Sequence, residues 1–200
     1  MMTYTIPESL QAYFSDDRAV ARAVDALVPD LAGKKCPEFE FDHIRNYNQA
    51  LLMAAKVRAD FIDVLFELWN GTFGAASAAA LFGEENLDPV SSESTPYAIW
   101  ENSQINRHYF GTQERGAACM TVTMDRWSRK VSLELWSDDD DFDVSSLSAD
   151  DWDAKTWDGN VYLRSTEVAI SDLIADPHST IEKLRGHAEA IVQALKNNEA

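Results

Sequence analysis

Residues 118–136 read Ala118-Cys119-Met120-Thr121-Val122-Thr123-Met124-Asp125-Arg126-Trp127-Ser128-Arg129-Lys130-Val131-Ser132-Leu133-Glu134-Leu135-Trp136. Ala118, Met120, Val122 and Met124 alternate with Cys119, Thr121, Thr123 and Asp125, and Val131, Leu133 and Leu135 alternate with Ser132, Glu134 and Trp136. A side-chain period of two marks an extended chain with one buried face. Two such runs joined by the short polar segment Arg126–Lys130 predict an antiparallel hairpin. No strand is followed by a Gly-rich turn into a helix, which speaks against a parallel nucleotide-binding architecture.

Upstream of the hairpin the pattern is helical. Pro7 opens a short helix through Phe14. Ser15 reads as the N-cap of a second helix, with Asp16 and Asp17 in its first turn and Val20, Val24, Leu27, Val28 and Leu31 at helical spacing; Pro29 disturbs its end. A long helix is expected over residues 42–70, with Gly71 as its stop. Its polar stripe is Arg45, Gln49, Lys56, Asp60, Asp63 and Glu67, and Ile44, Tyr47, Leu51, Ala54, Ile62, Leu65 and Leu68 fill the rest of its circumference. So wide an apolar surface predicts a central helix or a homodimer packed through residues 42–70. Thr72–Phe82 forms a further Ala-rich helix on this reading. Residues 83–96 are polar, acidic and Ser/Pro-rich and read as a connector, so the chain divides into a helical part (1–82), a connector (83–96) and a sheet-bearing part (97–200).

Downstream, Tyr97–Phe110 reads as extended with poor alternation. Asp158-Gly159-Asn160 is a turn signal, and Val161–Arg164 a fourth short strand. Thr166–Ala175 and a final helix starting at Pro177, or at the capping box Ser179-x-x-Glu182, close the chain. The last helix is expected to bury Ile181, Leu184, Ala188, Ile191 and Leu195. The predicted class is α+β: an N-terminal helical part, an antiparallel sheet of about four strands, and two C-terminal helices.

The charge is the second strong signal. Among 200 residues, 34 acids stand against 17 bases, a net charge of −17, where a small domain carries a magnitude of roughly 2–8. Such a surface repels nucleic acid and anionic membranes and favours basic partners. No apolar run is long enough to span a bilayer and the first residues lack the layout of a signal peptide, so the cytoplasm is the expected location. Cys36 and Cys119 form no zinc or redox spacing, and His43, His108, His178 and His187 are dispersed. No metal, cofactor or catalytic constellation emerges, so a non-enzymatic role is expected.

Half of the charge lies in one place. Glu134, Asp138, Asp139, Asp140, Asp141, Asp143, Asp150, Asp151, Asp153 and Asp158 are ten carboxylates against the single Lys155, a balance of −9 out of −17. Trp136, Trp152 and Trp157 are interleaved with them. One reading is a solvated insertion whose tryptophans fold back onto the sheet. The other is a contact surface: acids at this density suit a partner rich in Arg and Lys, and Trp is the residue most enriched at binding hot spots. Asp139, Asp141, Asp143 and Asp150 also fall at calcium-loop positions, but Val144 replaces the required Gly and a strand precedes the loop.

Arg58 lies amid Ala54, Ile62 and Leu65 on the long helix, with Tyr47 on the same face, which calls for a structural ion pair or an anion site. The basic turn Arg126, Arg129 and Lys130 has two possible destinations, the nearby acids or a separate contact. The leading functional expectation is an acidic binding protein for a basic, nucleic-acid-handling partner, in the manner of nucleic-acid-mimicking anti-restriction or anti-CRISPR inhibitors, immunity proteins or antitoxins. The alternatives are a small enzyme built on Arg58 or on Asp138–Asp143, and a housekeeping domain adapted to salt.

Overall fold

The computed structural model describes residues 4–31, 41–73, 96–109, 118–137, 151–157 and 160–197. Helices α1 (Glu8–Tyr13), α2 (Ala19–Leu31), α3 (Phe41–Phe73) and α4 (Pro96–Asn102) precede strands β1 (Gln104–Tyr109), β2 (Ala118–Asp125), β3 (Lys130–Ser137), β4 (Trp152–Trp157), β5 (Asn160–Ser165) and β6 (Val168–Ala169). Helices α5 (Ile170–Ala175) and α6 (Pro177–Asn197) follow. The fold is α+β, with an antiparallel sheet in the order β1-β2-β3-β5-β4 and β6 paired to β3.

The predicted hairpin sits at the middle of this sheet. Asp125 pairs with Lys130 at its closed end and Ala118 with Ser137 at its open end. The turn is pinned by Asp125, whose carboxylate accepts from the Trp127 N–H at 2.7 Å and from the Ser128 hydroxyl at 2.8 Å. Arg129, at φ 58°, supplies the left-handed residue that closes a four-residue hairpin loop.

Val122, Met124, Val131, Leu133, Leu135 and Leu163 are almost fully buried and give the sheet its apolar face. They share one core with Phe61, Val64, Leu65 and Leu68 of α3, Trp100 of α4 and Leu184, Ala188 and Ile191 of α6. Phe61 and Tyr13 both meet the Trp100 ring edge-to-face, at 5.2 and 5.7 Å. One core thus draws on both the helical and the sheet-bearing halves.

Several expectations are corrected. Gly71 does not stop α3, which runs on to Phe73. It lies where α6 crosses: a Cβ there would come within 2.5 Å of Ile181 Cγ2. Arg185 of α6 donates to the Gly71 carbonyl through Nε at 3.1 Å and Nη2 at 2.7 Å. Glycine is needed for close helix approach, not for a chain reversal.

The stretch 97–110 is not all extended. Residues 96–102 are α4, ended by Ser103 at φ 56°, whose N–H donates to Ile99 O at 2.8 Å. Asp17, not Ser15, receives the first α2 amide, from Ala19 at 3.0 Å, while the Ser15 hydroxyl donates to Ala12 O. Pro29 lies within α2, which continues to Leu31.

Thr166 does not begin a helix either. Between the pairs Glu134–Arg164 and Val131–Val168, two residues of β3 face three of the opposing chain, which is a β-bulge. The Ser165 hydroxyl fills the broken ladder by accepting from the Leu133 N–H at 3.0 Å. Helix α5 starts only at Ile170. The strand β4 was not anticipated and lies within the acidic stretch itself. Residues 74–95, most of the expected Ala-rich helix and connector, fall outside the described residues.

Candidate functional site

Alternation along β3 and β5 sends Leu133, Leu135 and Leu163 inward and Glu134, Trp136, Tyr162 and Arg164 to the opposite face. In register, Glu134 stands beside Arg164, which stands beside Asp153 on the edge strand β4; Trp136 stands beside Tyr162. The sheet therefore brings Asp153 to the same surface as Glu134 and Trp136 of β3, although it comes from a different part of the sequence.

The described cations on this face, Arg164 and Lys130, are paired with acids. Arg164 Nε donates to Glu134 Oε1 at 3.0 Å and to the Tyr162 hydroxyl at 3.1 Å, and its Nη1 lies 3.9 Å from Glu167 Oε1. Lys130 pairs with the same Glu167. Burial and the adjacent Glu134 carboxylate push the Tyr162 phenol above its usual range, so it stays protonated. Trp136 is 53% exposed at the end of this network, and Asp151 and Asp153 are exposed at the sheet edge. Among the described side chains, Trp136 is thus an exposed indole on a face that also carries Glu134 and, at the sheet edge, Asp153, and the described bases Arg164 and Lys130 are paired with acids.

The other predicted residues separate. Trp152 faces the core, 7% exposed, and meets His187 of α6 edge-to-face at 5.4 Å. Trp157 pairs through its backbone with Asn160 at the far end of β4. Asp138, Asp139, Asp140, Asp141, Asp143, Asp150 and Asp158 lie outside the described residues, and with them the calcium-loop reading. Among the described residues no group of three or more His, Cys, Asp or Glu could hold a metal ion.

Arg58 and Tyr47 are both half-buried on α3. The sealed arginine is Arg126, 2% exposed at the hairpin turn. Its Nη1 lies 3.1 Å from Asp25 Oδ1, its Nε donates to Ser103 Oγ at 3.2 Å, and its guanidinium lies 4.0 Å from the Trp100 ring centroid. The Tyr13 hydroxyl donates to the same Asp25 oxygen at 2.8 Å. The basic turn therefore has separate partners: Arg126 reaches Asp25, Arg129 reaches Asp16 and Phe14 O, and Lys130 reaches Glu167. The sequence held a sign of this. Asp25 follows Val24 and sits four residues after Ala21 and three before Val28, inside the apolar stripe of α2, where a carboxylate needs a buried cation.

A cleft of about 500 Å³ lies where the chain's first described residues, the end of α3 and the α5–α6 corner meet. Three of its polar side chains have structural partners. Arg185 holds Gly71 O, Asp176 caps the Ser179 N–H at 3.0 Å, and His178 lies 3.4 Å from Glu182. Tyr4 in its wall has its phenol pushed up to about 12 by burial and by Glu67, Asp63 and Asp60, a setting hostile to anions.

No family model, curated protein or solved structure matches the chain.

Proposed function

We propose that this protein is a non-catalytic binding protein whose acidic, tryptophan-bearing sheet face engages a basic protein, itself a handler of nucleic acid. The observation that carries the reading is the opposite placement of two tryptophans from one acidic segment. Trp152 packs into the core, whereas Trp136 stands 53% exposed beside Glu134 on the other face of the sheet. A segment that merely tucked its aromatic residues away would bury both. A large indole held on a strand, in a sheet that fixes its backbone, loses little freedom on binding and suits a contact anchor.

The charge supplies the partner's sign. A net −17 surface accelerates encounter with a cationic protein and repels nucleic acid itself. Carboxylates at the density of Asp138–Asp158 can occupy a channel that otherwise holds phosphates, which is the logic of nucleic-acid-mimicking inhibitors and of immunity proteins against basic nucleases. Self-association along α3 rests on Leu52 and Met53, 71% and 66% exposed; sedimentation across a concentration series decides it.

The test is capture on the immobilised protein, wild type against Trp136→Ala, followed by salt elution. The reading expects a basic protein that the variant loses and that duplex DNA competes away. Equal capture by both, or an acidic partner, overturns it. No helix among the described residues is long and apolar enough to cross a membrane.

A further inference from the structure

His187 is buried in the middle of α6, 8% exposed, and its Nε2 has no hydrogen-bond partner among the described residues. Its ring packs at 78° against Trp152, the first residue of β4. Among the described residues that strand is the edge of the sheet and pairs only with β5. Its first turn is tied down by Asp151, whose carbonyl accepts from the Thr166 N–H at 2.8 Å and the Thr166 hydroxyl at 3.1 Å. Among the described residues the charged groups facing the imidazole are Lys183, one turn earlier on α6, and Asp151, from the β4 side.

An unpaired ring nitrogen in an apolar contact is tolerable only while it is neutral; a buried charge without a partner has to reach water. We propose that His187 and Trp152 form a pH-operated latch: protonation of His187 undocks Trp152 and releases the start of edge strand β4. Burial, with Lys183 adding to it, pushes the imidazole below its ordinary range, and Asp151 only partly offsets this. Protonation is therefore coupled to opening. The device acts on the free protein and holds whatever binds the sheet face.

In the open form the imidazole has an ordinary pKa of about 6.5, so the open population grows by up to about thirty-fold between pH 7.5 and pH 5. At pH 5 most exposed carboxylates are still ionised, so their titration does not mimic the effect. The experiment is amide hydrogen exchange of residues 151–157 at both pH values, expressed as protection factors corrected for intrinsic rates, in wild type and in His187→Phe. The latch predicts a fall of up to about thirty-fold in wild type and a clearly smaller change in His187→Phe, which keeps an aromatic ring but cannot titrate. Equal falls in both proteins, or none in wild type, overturn the proposal. His187→Gln serves the same comparison if the Phe variant does not fold. Nuclear magnetic resonance titration of His187 in wild type provides a second readout: a midpoint at or above 6.5 also overturns it.

Discussion

The guanidinium of Arg126 lies 4.0 Å from the centroid of the Trp100 ring. The contact ties the turn of the central hairpin to α4, and through Asp25 and Tyr13 to α2 and α1. A charge sealed at 2% exposure is held by one carboxylate, the Ser103 and Tyr13 hydroxyls and the rings of Trp100 and Trp127, so removing either ion leaves the other without its counter-ion. Arg126→Ala should lower stability by about 3 kcal/mol in urea denaturation. A loss below about 1 kcal/mol, the range of an exposed pair, would mean that the network contributes nothing special.

The same cluster sets an alkaline limit. Burial, with Asp25 accepting its proton, pushes the Tyr13 phenol up to about 12, although Arg126 pulls the other way. The folded state therefore holds a proton that the unfolded chain releases near pH 10. The contribution is complete below pH 10 and is lost as pH rises towards 12. Tyr4 adds to it in the same window. Alkaline unfolding should flatten in Tyr13→Phe; an unchanged profile would remove Tyr13 from the account.

Two glycines in helices should respond in opposite senses. A Cβ at Gly186 meets nothing within 4 Å, so Gly186→Ala gains helix propensity of about 0.5–1 kcal/mol and raises the Tm by roughly 2–4 °C. At Gly71 the same change drives a Cβ to 2.5 Å from Ile181 Cγ2 and should cost about 1–3 kcal/mol. Pairing it with Ile181→Ala should cost less than the sum of the two single changes. Additive losses would show that the helices do not meet there.

The hairpin was legible because its alternation is a local property: runs expected at 118–125 and 131–136 appear as β2 and β3 at 118–125 and 130–137. Strand β4 was not, since the alternation of Trp152, Ala154 and Thr156 with Asp153, Lys155 and Trp157 offers only one large apolar residue per face and follows an acidic run. Helix α4 is two turns long, too short for a 3.6-residue period to show. Gly71 misled because its role is set by Ile181 and Arg185, more than a hundred residues away. The bulge at Ser165 depends on one hydroxyl replacing a backbone partner, which no pattern encodes. Of the candidate face, the acids and tryptophans were visible, but not the assignment of Trp136 to solvent and Trp152 to the core, which follows from strand register.

Those two tryptophans should separate stability from binding. Trp152→Ala opens the core beside His187 and should cost about 3–5 kcal/mol, measured by thermal and urea unfolding. Trp136→Ala should change stability by less than about 1 kcal/mol, because the side chain is half in water. A large stability loss in Trp136→Ala would assign it a packing role and remove the indole from the binding account.

The central claim, an acidic face with an indole anchor for a basic protein, is tested most directly by the kinetics of the captured partner at 50 and 200 mM salt, with wild type and Trp136→Ala. The account predicts an on-rate that falls at least about ten-fold over that range for both proteins, and an off-rate at least about ten-fold faster in the variant. An on-rate indifferent to salt, together with an off-rate unchanged by Trp136→Ala, would contradict it.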